Sequence, residues 1–182
     1  INHVTVDGRN LMALTNVKDA NDHITSQLTN SLGQLALVRE VDGVGTTGDP
    51  YVGYADTRYY YDEMGNLEHV KQGNASDNEP TSWLATTSMT YDGFGRKTAM
   101  NDPDMGTWSY AYNAAGNLIR QVDANGEPLC FEYDELNRLT RKRHDSNHNG
   151  CYSSDPSLAY YAYYPAGSGT GLVGKPSEIR WS

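Results

Sequence analysis

The segment Tyr112-Asn113-Ala114-Ala115-Gly116-Asn117-Leu118 returns 21 residues later as Tyr133-Asp134-Glu135-Leu136-Asn137-Arg138-Leu139. Few features constrain a chain more than an aromatic residue, Asp or Asn, two free positions and Gly or Asn, repeated at a fixed distance. The Asp or Asn side chain can accept backbone N–H groups further along and so closes a type I turn. A three-residue hairpin loop then needs one residue in the left-handed region to rejoin the sheet twist. Gly adopts that region without a Cβ clash, and Asn is the next best tolerated. The flanks agree with a hairpin. Trp108, Tyr110 and Tyr112 alternate with Ser109 and Ala111, and Leu129, Phe131 and Tyr133 alternate with Cys130 and Glu132. That is the period of two expected of a strand. The frame places Tyr112 opposite Leu118 and Tyr133 opposite Leu139, each a cross-strand pair contributing roughly 0.2–1 kcal/mol.

The frame extends along the chain. Its aromatic or β-branched anchors fall at Val6, Thr29, Tyr61, Tyr91, Tyr112, Tyr133 and Tyr163. The next residue is Asp or Asn at every anchor except the last, where it is Tyr164. Four residues after the anchors stand Asn10, Gly33, Gly65, Gly95, Gly116, Asn137 and Gly167, the predicted left-handed corners. A second set of turns starts at Asp19, Asp102 and Asp123. Two strands and two turns per unit predict an all-β fold: an antiparallel meander of hairpins forming one twisted, spiralling sheet, a partial shell or solenoid. The long intervals hold Gly-, Asn-, Asp-, Ser- and Pro-rich loops at 43–50, 73–80 and 145–156. Leu11 to Lys18 has the composition of a short helix, but the turn frame explains it better.

Composition sets the partners. The formal net charge of −9 repels nucleic acid and anionic membrane alike. No apolar run approaches the roughly 20 residues of a membrane helix, and no signal peptide is evident. The chain's 182 residues are long enough for a sizeable core. Phe is scarce at 2 and Tyr abundant at 14, and Tyr can stack on a sheet while its hydroxyl reaches water or a backbone acceptor. The strand-like run Glu178 to Ser182 reads as one interrupted within a longer chain.

The motifs Tyr61-Asp62-Glu63-Met64-Gly65-Asn66-Leu67 and Tyr91-Asp92-Gly93-Phe94-Gly95-Arg96, with the two units above, resemble those of the RHS/YD-repeat family. Bacterial RHS proteins, shell components of insecticidal toxin complexes and teneurin extracellular regions belong to it. The likeness is strong from Tyr59 to Arg143, weaker before Thr29 and partial around Tyr163. It implies a single YD-repeat β-sheet region over 1–182, part of an extracellular, secreted or surface-displayed shell that encloses or displays a polypeptide, often a toxin. Neither the family's self-cleaving core motif nor a toxin domain is present in these residues. The implied partners are the remainder of its own chain, further copies of itself, or an enclosed toxin polypeptide. The alternatives are a self-assembling extracellular filament, since open sheet edges template pairing, and an adhesin module that binds a surface glycan.

Catalytic and metal signals are sparse. His3, His23, His69, His144 and His148 are scattered, no zinc spacing occurs, and no nucleophile elbow or phosphate loop is present. A non-catalytic chain without a cofactor is expected. The most chemical stretch is Asp145 to Gly150, where alternating oxygen donors before Gly suggest half of a calcium loop. Asp145, Asn147, Asn149 and Asp155 are its candidate ligands, although Pro156 stands where a bidentate acid belongs. Cys130 and Cys151 are the only cysteines; they permit one disulfide or remain a buried and a loop thiol. Asn74-Ala75-Ser76 is a formal glycosylation sequon, read as a turn. Tyr59 to Tyr61 and Tyr160 to Tyr164 put tyrosines on both strand faces, as core and exposed ladder or as a carbohydrate-stacking surface.

Overall fold

A computed structural model describes residues 3–6, 9–20, 23–41, 55–75, 82–145, 150–152, 155–165 and 174–181. The chain divides into two compact units, Ile1–Arg96 with Asn101–Asp104, and Lys97–Met100 with Met105–Ser182. All regular structure among the described residues is β-strand.

The first unit holds β1 (His3–Val6), β2 (Arg9–Lys18), β3 (Ile24–Thr29), β4 (Leu35–Val41), β5 (Ala55–Tyr61), β6 (Leu67–Asn74) and β7 (Ala85–Tyr91). Each pairs antiparallel with the next. The strand β8 (Lys97–Asp102) is shared between the units. The second unit continues with β9 (Gly106–Tyr112), β10 (Leu118–Val122), β11 (Pro128–Tyr133), β12 (Leu139–His144), β13 (Ser157–Tyr163) and β14 (Pro176–Trp181). These too pair antiparallel in chain order. The meander that the turn frame demands is the topology found, and the segment with helical composition is the strand β2.

The turns show why. Asp62 N donates to the Asn66 carbonyl at 2.9 Å and Gly65 N to the Asp62 carbonyl at 3.0 Å. The Asp62 carboxylate then accepts from Met64 N and Asn66 N at 3.0 and 2.8 Å. The same bonds recur at Asn30, Asp92 and Asp134, and at Asn113 with the Asn117 N bond. Gly33, Gly65, Gly95 and Gly116 have φ between 75° and 87°, and among the described residues Asn137 is the non-glycine residue at positive φ, 59°. Each loop ends in a bulge that sets the anchor opposite the residue six further on: Thr29 with Leu35, Tyr61 with Leu67, Tyr112 with Leu118, Tyr133 with Leu139. The third loop position makes no demand of its own, and Leu32, Met64, Phe94 and Leu136 stand exposed there.

The first and last repeats depart. Asn10 is not a corner: it lies inside β2, paired with Thr5. Val6 pairs with Arg9; Asp7 and Gly8 lie outside the described residues. β2 begins at Arg9, so the backbone is already extended and laddered when Asn10 is reached and has no need of a left-handed corner there. Gly167 lies outside the described residues. There Tyr163 pairs with Pro176, and Gly174, at φ 77°, donates to the Tyr164 carbonyl. Of the second turn set, Gly106 and Gly126 take φ 71° and 82°.

The core is thin. Among the described residues the buried apolar side chains are Leu28, Ala36, Leu37, Pro128, Cys130 and Ala159, few for the sizeable core that length alone allows. Most strand positions in β7, β8 and β10 are half-buried on both faces. Their cohesion therefore comes from ladders, cross-strand pairs and side-chain bonds more than from a packed interior.

Candidate functional site: a wall stitched by tyrosine and arginine

Every tyrosine anchor reaches back to the preceding repeat. The Tyr61 hydroxyl donates to the Leu35 carbonyl at 2.8 Å, and Tyr91 to Leu67 at 2.8 Å. Tyr112 donates to Lys97 at 2.9 Å, Tyr133 to Leu118 at 2.9 Å and Tyr163 to Leu139 at 2.7 Å. The acceptor is always the first residue after the previous turn. Phe could pack the same ring but could not make this bond, which is the physical reason for Tyr at these five anchors. Burial pushes the Tyr61, Tyr91 and Tyr133 hydroxyls above the ordinary tyrosine value, so all three remain donors at neutral pH.

The rim is joined as well. Gln34 Nε2 donates to the Gly65 carbonyl at 3.3 Å and Asn117 Nδ2 to Asn137 Oδ1 at 2.8 Å. Within the turns, the Arg96 side chain bonds Asp92, the Arg138 side chain bonds Asp134, and Asn66 bonds Asp62. These side-chain bonds hold all three carboxyls below the usual carboxylate range.

Buried charge adds a second kind of stitch. In the first unit Arg39 of β4 faces Asp56 of β5 in the ladder and binds it through Nε at 2.7 Å and Nη2 at 2.9 Å. Arg58 adds a third bond to Asp56 at 3.0 Å. All three side chains are buried, where bidentate charge-assisted bonds are strongest. In the second unit buried Arg143 bonds Glu132, the Asp155 carbonyl at 2.7 Å and Ser157 at 3.2 Å. No sequence motif flagged these groups; the signal was a cluster of Arg and Asp on strands rather than in turns.

Of the candidate calcium residues, Asp145 and Asp155 are among the described residues. Asp145 is buried, accepts from Gly150 N at 3.1 Å and lies 3.7 Å from Arg120. Asp155 is buried and accepts from Tyr152 N at 2.8 Å. Asn147 and Asn149 lie outside the described residues. Asp145 and Asp155 thus accept from backbone N–H groups, with a guanidinium beside Asp145, and no cluster of three metal-ligating side chains occurs among the described residues. Between the two aspartates the segment is tied to β11 by the disulfide Cys130–Cys151, with Cα atoms 5.6 Å apart.

Antiparallel strands in chain order, closed by Asx-capped three-residue turns and cross-stitched by tyrosines, define a β-hairpin repeat protein. Residues 112–149 match the family model RHS Repeat, so the chain carries an RHS repeat and resembles that family. No curated protein matches in sequence. Among solved structures, a TcdB2-TccC3-Cdc42 chain superposes with TM-score 0.60 at 15% identity, over 94% of this chain and 9% of that one. The Photorhabdus luminescens Tc holotoxin pore gives TM-score 0.57 at 14% identity, over 88% and 8%. TcdB2-TccC3 without its hypervariable C-terminal region gives 0.51 at 17%, over 88% and 8%. The chain therefore spans less than a tenth of these neighbours.

Proposed function

We propose that this chain is a non-catalytic stretch of the wall of a repeat-built shell that encloses or displays a polypeptide outside the cytosol. The carrying observation is the tyrosine ladder, in which each hairpin is bonded to the one before at Tyr61, Tyr91, Tyr112, Tyr133 and Tyr163. Such stitching makes a wall from strands with little core. The structural RHS-repeat role follows from the matched repeat and from the fold shared with toxin-complex chains. An oxidising compartment is supported by the Cys130–Cys151 bridge, since disulfides persist there and are rare in the cytosol. Partners on this reading are the remaining repeats of the same protein and the enclosed polypeptide. Electron microscopy of the native full-length protein tests it. A closed hollow particle is expected; an open fibre built of stacked copies would replace the shell by the filament reading.

A further inference from the structure

The two sulfurs of the second unit's disulfide stand in unlike surroundings. Cys130 of β11 is 1% exposed, whereas Cys151 is exposed. In the ladder Cys130 lies opposite Arg120 of β10 and opposite Arg143 of β12. Residues directly opposite share a sheet face, with Cβ atoms about 5 Å apart, so an arginine stands on each side of the buried cysteine. The nearby acids are Asp145, 3.7 Å from Arg120, and Glu132, bonded to Arg143. Among the described residues Arg120 Nε is a buried donor with no hydrogen-bond partner. A sulfur anion at the neighbouring ladder position would give it an acceptor.

Thiol–disulfide exchange needs access at the attacked sulfur and a stable thiolate on the sulfur that leaves. Cys151 supplies the access. Cys130 is the better leaving group, because neighbouring cations stabilise a thiolate. The segment that carries Cys151 is held mainly at its ends. Asp145 N donates to the Pro128 carbonyl and His144 N to the Pro156 carbonyl, both at 3.1 Å, and Arg143 holds the Asp155 carbonyl at 2.7 Å. Between those ends, Gly150 N and Tyr152 N bond to Asp145 and Asp155 of the same segment. The covalent tie of residues 150–152 to β11 is the bridge itself.

We propose that Cys130–Cys151 is a latch opened by a dithiol reductant: the reductant attacks Cys151, Cys130 leaves as a thiolate between Arg120 and Arg143, and residues 150–152 come away from β11. One thiolate of the dithiol forms a bond to Cys151 Sγ, the Sγ–Sγ bond breaks, and its electron pair goes to Cys130. The second thiolate of the dithiol then displaces Cys151, so the dithiol is oxidised to its own disulfide and the two cysteines are reduced. The two protons of the dithiol pass to solvent or to the freed sulfurs. The latch is independent of the wall role, since it stands on residues of the second unit alone. Native chain treated with glutathione, quenched in acid and mapped by peptide mass shows which sulfur is attacked; the adduct is expected on Cys151. Hydrogen exchange after dithiothreitol is expected to rise at Gly150 and Tyr152 while the β11–β12 ladder stays protected. Cleavage by dithiothreitol is expected to slow about threefold or more in Arg120→Gln and to stay within about twofold in Arg120→Lys. Lys142→Gln removes a charge from the opposite face, where Lys142 pairs with Phe131, and is expected to change the rate less than about twofold. The proposal is overturned by an adduct on Cys130, by equal slowing in Lys142→Gln, or by a folded chain that dithiothreitol does not cleave. Cleavage that rises with urea in step with global unfolding, or loss of ladder protection across the unit, also overturns it. Should Arg120→Gln not fold, the adduct map and the urea dependence of the native chain carry the test.

Discussion

Tyr133→Phe removes one hydroxyl and leaves the ring. In the native protein that hydroxyl donates to the Leu118 carbonyl at 2.9 Å, linking β11 to the strand after the preceding turn. A typical intramolecular hydrogen bond contributes about 0.5–1.5 kcal/mol net. Tyr133 is half-buried, so water can partly serve the abandoned carbonyl, and a loss of about 1 kcal/mol is expected. Urea unfolding followed by tryptophan fluorescence reads it. With a slope of about 1–3 kcal/mol/M the midpoint falls by roughly 0.3–1 M at unchanged slope. Tyr160→Phe is the control, because that hydroxyl is not part of the ladder. Alkali gives a second readout. Burial raises the Tyr133 pKa above its ordinary 10.0. The unfolded chain therefore ionises first, and stability present below about pH 10 is lost as pH rises through the folded value. Tyr133→Phe removes that contribution to alkaline lability. If Tyr133→Phe and Tyr160→Phe shift the midpoint equally, the ladder bond is not what joins the repeats, and the argument for a stitched wall fails.

Gly106→Ala is expected to destabilise by about 2 kcal/mol or more, since a Cβ there meets the Ala124 Cβ at 2.5 Å and φ is 71°; Gly116→Ala, with nothing within 4 Å at φ 87°, should cost only about 1–2 kcal/mol by thermal melting. Asp56→Ala leaves the buried Arg39 and Arg58 without their shared carboxylate, and a loss of about 3–5 kcal/mol is expected in the same unfolding assay. The Asp62, Asp92 and Asp134 pKa values are depressed by their turn bonds, so their contribution is present above the unfolded value near 3.8 and disappears as pH falls through the folded values; an acid titration by circular dichroism that shows no loss below about pH 4 would contradict this. Reducing the Cys130–Cys151 bridge, which spans 21 residues, should lower stability by about 3 kcal/mol, measured as a shift in urea midpoint with and without a dithiol.

The turn chemistry was legible residue by residue. Asp62, Asp92 and Asp134 followed three later by Gly65, Gly95 and Asn137 announce where the chain reverses, because the bonds that close such a loop are all local. From those corners and the period-two flanks, the all-β meander and the pairing of Tyr112 with Leu118 followed directly. At Asn10 the same frame misled: the ladder sets Arg9 opposite Val6 and Asn10 opposite Thr5, so the strand has begun before the expected corner. The candidate calcium residues looked alike in sequence, yet Asp145 meets Arg120, a residue 25 positions away on another strand. Partners of that kind depend on which strands lie side by side and on the bulges that set their register. The same holds for the Tyr61 hydroxyl on Leu35 and the Arg39–Asp56–Arg58 cluster. Backbone reversals are written in neighbouring residues and can be read singly, whereas contacts across strands exist only once the sheet has fixed who faces whom.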